Sequence, residues 1–172
     1  MKVQVASVVL GAVIVALAGT TTAHDRKKRE EVRARLVSIQ EVPALSTPAR
    51  GRFKAEIDED EGTINYTISY ENLEGVVTQS HIHFGQRAVN GGISVFLCSN
   101  LGNGPAGTQA CPPAPAEISG TITSADVIGP AGQGIAAGEF AELLAAIRSG
   151  VAYANVHTDK YPGGEARGQL DD

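Results

Sequence analysis

On either side of a short acidic turn, the chain alternates apolar and polar residues with a period of two. Phe53, Ala55 and Ile57 alternate with Arg52, Lys54 and Glu56; Ile64, Tyr66, Ile68 and Tyr70 alternate with Asn65, Thr67 and Ser69. Successive side chains of a strand point to opposite faces, so each run presents one apolar face to a core. Asp58-Glu59-Asp60-Glu61-Gly62 separates the two runs, and a Gly-ended polar link between alternating segments predicts a β-hairpin. The acidic tip lacks the ligand spacing of an EF-hand calcium loop and reads as a solvated turn.

The rest of the chain continues in the same style. Residues 76–84, 93–97, 118–123, 151–157 and 165–170 read as further short strands, with a Gly/Pro/Ala-rich loop over 99–116. Phe140, Leu143, Leu144 and Ile147 fall at i, i+3, i+4 and i+7 between Gly138 and Gly150, which predicts one short amphipathic helix near 138–149. Twenty Gly and eight Pro in 172 residues supply the turns such a chain needs. The expected fold is all-β: a Greek-key β-sandwich or barrel with that helix in one crossover. A net charge of −5 excludes a protein that wraps nucleic-acid phosphates, which depends on a clustered basic surface.

The N-terminus has a different character. Lys2, an apolar stretch over 5–18 and small residues at Thr21-Thr22-Ala23 form the layout of a secretory signal peptide, assigned to residues 1–23. The apolar stretch is shorter than the roughly 20 residues of a membrane span, so no span is expected after signal cleavage. A charged arm over 24–34 follows, and then the folded domain over 35–172. The protein is therefore expected to be secreted, either extracellular or periplasmic. In an oxidising compartment an even cysteine count reads as a disulfide, here Cys98 with Cys111. Asn65-Tyr66-Thr67 fits the N-glycosylation sequon, which matters only in a host that glycosylates.

Three of the four histidines carry the chemistry. In Ser80-His81-Ile82-His83-Phe84, strand geometry puts His81 and His83 on one face. Along 151–157, Ala152, Ala154 and Val156 share the core face, while Tyr153, Asn155 and His157 share the other. Two imidazoles at i and i+2 are natural metal ligands, and three with an open position form a recognised copper or zinc environment. The competing reading is structural: half-exposed histidines hydrogen-bonded to their neighbours. Other catalytic constellations are missing. No Gly-x-Ser-x-Gly elbow or phosphate-cradling loop occurs, and Ser80 points away from the adjacent His81.

These blocks carry a resemblance. Gln40-Glu41-Val42-Pro43, Ser80-His81-Ile82-His83-Phe84-Gly85, Tyr153-Ala154-Asn155-Val156-His157-Thr158 and the closing Pro162-Gly163-Gly164-Glu165-Ala166-Arg167-Gly168-Gln169-Leu170 resemble the CHRD domain, the chordin-type family, over about Arg35 to Leu170. The resemblance implies an immunoglobulin-like barrel distantly similar to Cu/Zn superoxide dismutase, and no settled activity. His81 and His83 resemble the dismutase's His-x-His pair, and His157 its later copper histidine. Between Phe84 and Val156 there is no histidine, so the bridging and zinc ligands are missing. Arg167 matches too weakly to be aligned with the arginine that guides superoxide.

The expected function is that of an exported, non-enzymatic binding module whose partner is an unknown extracellular protein or ligand. Gln79, Tyr153 and Asn155, beside the histidines, form the expected recognition face. The alternative is a mononuclear copper or zinc site on His81, His83 and His157, with a redox or metal-handling role. A purely structural envelope or matrix component is a third class.

Overall fold

The computed structural model describes Met1 and residues 29–171. The expected signal peptide beyond Met1, and residues 24–28 of the arm, lie outside the described residues. The acidic hairpin forms as the alternation predicts. Strand β2 (Arg50–Asp58) pairs antiparallel with β3 (Thr63–Glu71), from Arg50 opposite Glu71 to Asp58 opposite Thr63. Gly62 closes the turn at φ +62°, a left-handed conformation that glycine adopts without a Cβ penalty. Phe53, Ile57, Ile64, Ile68 and Tyr70 are buried on the inner face.

Strand β1 (Glu30–Val37) pairs along the other side of β2. It starts inside the segment expected as a charged arm. The reason is the same alternation: Val32, Ala34 and Leu36 point inward and are buried, while the charged residues between them face solvent.

β4 (Val77–Phe84) and β5 (Gly92–Ser99) form a second hairpin, and β6 (Ala116–Ile122) pairs with β3. Helix α1 (Phe140–Arg148) precedes β7 (Ala152–Thr158) and β8 (Ala166–Gln169). The strands lie in the order β5-β4-β7-β8-β1-β2-β3-β6, antiparallel throughout. The sheet curls into a nearly closed barrel around one apolar core. Its seam between β5 and β6 is bridged by side chains and loops. The Tyr66 hydroxyl donates to the Leu97 carbonyl at 3.1 Å, and the Ser99 amide donates to the Gln109 carbonyl at 2.9 Å. β7 is wedged between β4 and β8, so residues far apart in sequence share one stretch of sheet.

Cys98 and Cys111 are bridged, joining the end of β5 to the loop before β6. Among the described residues no helix is long and apolar enough to cross a membrane. Helix α1 buries Leu143, Leu144, Ala146 and Ile147, whereas Phe140 at its first turn is only half-buried. Leu143 has no exposed surface. Leu143→Ala is expected to destabilise the fold by about 2–5 kcal/mol in urea unfolding, the usual cost of emptying a leucine-sized core site. Replacing both cysteines with alanine should cost about 3 kcal/mol in the same assay, because the closed loop is short and the loss is mainly unfolded-chain entropy.

Candidate metal centre

The pairing of β4 with β7 sets Gln79 opposite His157, His81 opposite Asn155 and His83 opposite Tyr153. β8 then sets Arg167 opposite Asn155 and Gln169 opposite Tyr153. Residues paired across strands share a face, so the outside of three adjacent strands carries a continuous polar stripe. Unlike an ordinary outer face, it is buried: His81 is 0% exposed, His157 6% and His83 7%.

Two turns cover it. The 85–91 turn lies over His83 and Tyr153, with the Gly91 amide donating to the Tyr153 hydroxyl at 3.2 Å. The 159–164 turn lies over His157 and is pinned by Glu165. That carboxylate accepts from the Thr158 hydroxyl at 2.8 Å and from the Glu74 amide at 2.6 Å. Gly91 must be glycine, since a Cβ there would stand 1.8 Å from the Phe84 carbonyl oxygen.

The three histidines converge. One ring nitrogen from each lies within 4.8 Å of the others, and among the described residues these three alone form a cluster of metal-ligating side chains. His81 Nδ1 is 3.1 Å from His157 Nε2. The outward nitrogens are held by main-chain acceptors: His83 Nδ1–H donates to the Gly91 carbonyl and His157 Nδ1–H to the Pro162 carbonyl, each at 2.9 Å. A carbonyl can only accept, so these bonds fix the tautomers and leave the Nε2 lone pairs of His83 and His157 facing the cluster. Metal-ligating histidines are oriented in this way. Nε2 of His83 and of His81 are buried with no hydrogen-bond partner. Asn155 Oδ1 lies 3.0 Å from His157 Nε2; both are acceptors and do not bond, so the donor to that nitrogen is His81 Nδ1–H, 3.1 Å away.

Aromatic rings brace the site. The His81 ring meets Phe96 edge-on at 4.4 Å between centroids. The His83 ring stacks on Tyr153 at 4.7 Å with an interplanar angle of 2°. The Arg167 guanidinium carbon lies 3.4 Å from the Tyr153 ring centroid. One ring face cannot hold both partners at these distances, so Tyr153 is sandwiched between Arg167 and His83. Arg167 is 1% exposed and donates from Nη2 to the Gln86 carbonyl at 2.9 Å.

Tyr153 and Asn155 are buried under the two covering turns, and the half-buried Gln79 accepts from the Asn103 amide at 3.0 Å, on the disulfide loop. Tyr153 and Asn155 have almost no exposed surface, whereas Gln79 remains partly exposed. The histidines are buried rather than half-exposed.

Sequence reasoning left Phe96 and Gln169 out of the site and gave Arg167 no position. The alternation along 165–170 puts Arg167 and Gln169 on one face, a signal available in the sequence. Glu41 gave no such signal. Its carboxylate packs against Gly164, where a Cβ would stand 2.5 Å from Oε1, and Oε1 is buried without a partner.

The CHRD domain family model matches residues 32–170, most of the chain. The chain belongs to the CHRD domain family. No curated protein and no solved structure gives a significant match. In this CHRD domain, the histidine-bearing strands and the closing Gly-Gly-Glu-Ala-Arg-Gly-Gln block of the family match are thus the walls and lid of one buried cluster.

Burial sets the protonation of that cluster. It pushes His81 down to about 2, helped by His157 and His83. It pushes His83 down to about 4, against the raising effect of the Gly91 hydrogen bond. His157 is also lowered by burial, against its bond to Pro162. Glu41 moves the other way, raised to about 7 by burial and only partly offset by Arg167. Below pH 6.5 the unfolded chain protonates its histidines while the folded protein keeps them neutral, so the histidine contribution to stability is lost as pH falls from 6.5 towards 4. Glu41 opposes this, because the folded protein holds its proton up to about pH 7. Three groups outweigh one. In chelator-treated protein, stability by urea unfolding should fall by on the order of 2–3 kcal/mol between pH 7 and pH 5.

Proposed function

We propose that this CHRD domain is a non-enzymatic binding module whose ligand is a single copper or zinc ion held by His81, His83 and His157. One observation carries the reading: three buried imidazoles converge, those of His83 and His157 with Nε2 lone pairs turned inward by main-chain carbonyls, and Nε2 of His81 and of His83 buried with no hydrogen-bond partner. A buried acceptor with no donor is costly, and an ion supplies what the two unpartnered nitrogens lack. Metal–nitrogen bonds of about 2.0–2.1 Å require side-chain adjustments of only about 1 Å to bring all three atoms to one centre. Bound there, a metal ion would supply a Lewis-acidic or redox-active centre. The chain's own part is to orient three neutral imidazoles and to screen them from bulk water.

We also propose that the domain works after export. An apolar N-terminal stretch followed by small residues, and a disulfide of the kind that persists in oxidising compartments, support this reading.

Protein purified without chelator, or reconstituted with Cu(II), Cu(I) or Zn(II), should bind one equivalent per chain by elemental analysis. His81→Ala, His83→Ala and His157→Ala should each lower affinity at least about 10-fold, the usual minimum for disturbing a metal's ligand shell, with circular dichroism unchanged. Failure of the intact protein to retain any of these ions would leave a polar cluster and refute the reading.

A further inference from the structure

We infer that the three-histidine site prefers a monovalent ion, Cu(I), over divalent Zn(II) or Cu(II). The inference rests on the metal-site reading above and concerns the charge that the site accepts.

The donor set is neutral. Among the described residues no carboxylate or thiolate joins the cluster, and the side-chain oxygen beside His157 Nε2, Asn155 Oδ1, is an uncharged amide. A buried positive charge stands close to the site, while the buried Glu165 carboxyl is held by the Thr158 hydroxyl and the Glu74 amide and is not one of the cluster's ligating groups. Arg167 lies against one face of Tyr153 and His83 against the other, so a buried guanidinium stands one aromatic ring away from a ligand. Arg167 is not paired within the cluster; its donors go to the Gln86 carbonyl and, at 3.5 Å, to Asn90 Oδ1. Glu41 is the acid that faces Arg167 and Tyr153. It adds no full compensating charge at neutral pH, because burial keeps it partly protonated.

Charge and coordination then point the same way. The cost of transferring an ion out of water grows as the square of its charge, so a divalent ion meets about four times the penalty of a monovalent one, with no anionic ligand to repay it. Zinc almost always takes four ligands, the fourth being water where the protein supplies three. Here the nitrogens face inward beneath two turns, and His81, against Phe96, has no exposed surface. Cu(I), a soft monovalent ion, is satisfied by three donors and needs no bound water. Among the divalent ions the Irving–Williams order still places Cu(II) above Zn(II), so Cu(II) is the stringent comparison.

Competition titrations on the intact domain test this at pH 7. Cu(I) is titrated anaerobically against bicinchoninate, and Zn(II) and Cu(II) are titrated against chromophoric chelators of known affinity. Cu(I) is expected to bind at least about 100-fold more tightly than Zn(II). Its preference over Cu(II), relative to the aqueous ions, should raise the bound couple's midpoint potential by 59 mV for each tenfold. Arg167→Gln should narrow the gap by tightening Zn(II) binding more than Cu(I) binding. If that variant does not fold, the intact protein's affinity ratio decides alone. Zn(II) or Cu(II) binding through the same histidines as tightly as Cu(I) would overturn the monovalent preference and leave the metal site standing. Retention of no ion at all would overturn both.

Discussion

The β4–β7 ladder is the constraint on which the rest of this domain depends. Its register puts Gln79, His81 and His83 beside His157, Asn155 and Tyr153, although the strands are separated by more than 60 residues of chain. A one-residue slip of β4 would turn His81 and His83 into the barrel and Ile82 out of it, and one of β7 would exchange His157 with Ala154 and Val156 in the same way. The core therefore enforces the site. The same apolar residues that fill the barrel also hold the imidazoles on the opposite surface of the sheet, and neither set can move without the other.

What turns an outer sheet face into an interior is main-chain covering. The 85–91 and 159–164 turns each lay a carbonyl on one imidazole, at Gly91 and Pro162, and each is locked from behind. Glu165 secures the second through Thr158 and Glu74, and Gln169 anchors the first by donating to the Gly85 carbonyl at 2.9 Å. Burial then has three linked effects. It holds the histidines neutral, strengthens their hydrogen bonds, and makes any charge placed among them expensive.

Much of this was legible in the sequence. Alternation over 52–70 gave the hairpin, the i, i+3, i+4, i+7 apolar set gave helix α1, and the two cysteines gave their bridge. The face shared by His81 and His83, and that shared by Tyr153, Asn155 and His157, followed from strand geometry alone. Their meeting did not, because pairing between β4 and β7 is long-range and period-2 patterns fix faces rather than neighbours. Burial was also hidden. Polar alternation ordinarily marks solvent, and nothing local in residues 85–91 or 159–164 announces that those turns fold back over the sheet. Glu41 illustrates the limit: its environment is made by Gly164 and Arg167, more than 120 residues away.

The carbonyl at Gly91 has a consequence for how such a domain can diversify. A side chain there would strike the Phe84 carbonyl, so the position that steadies both His83 and Tyr153 admits no chemical variation. Pro162 contributes through its backbone in the same way. The outer support of the imidazoles is thus written in main-chain atoms, which point mutation cannot exchange for a stronger or weaker acceptor. Evolutionary tuning is left to the inner ring, where Phe96, Asn155 and Arg167 can change polarity and charge one at a time. A lineage could alter which ion the cluster welcomes while the three histidines keep their orientation.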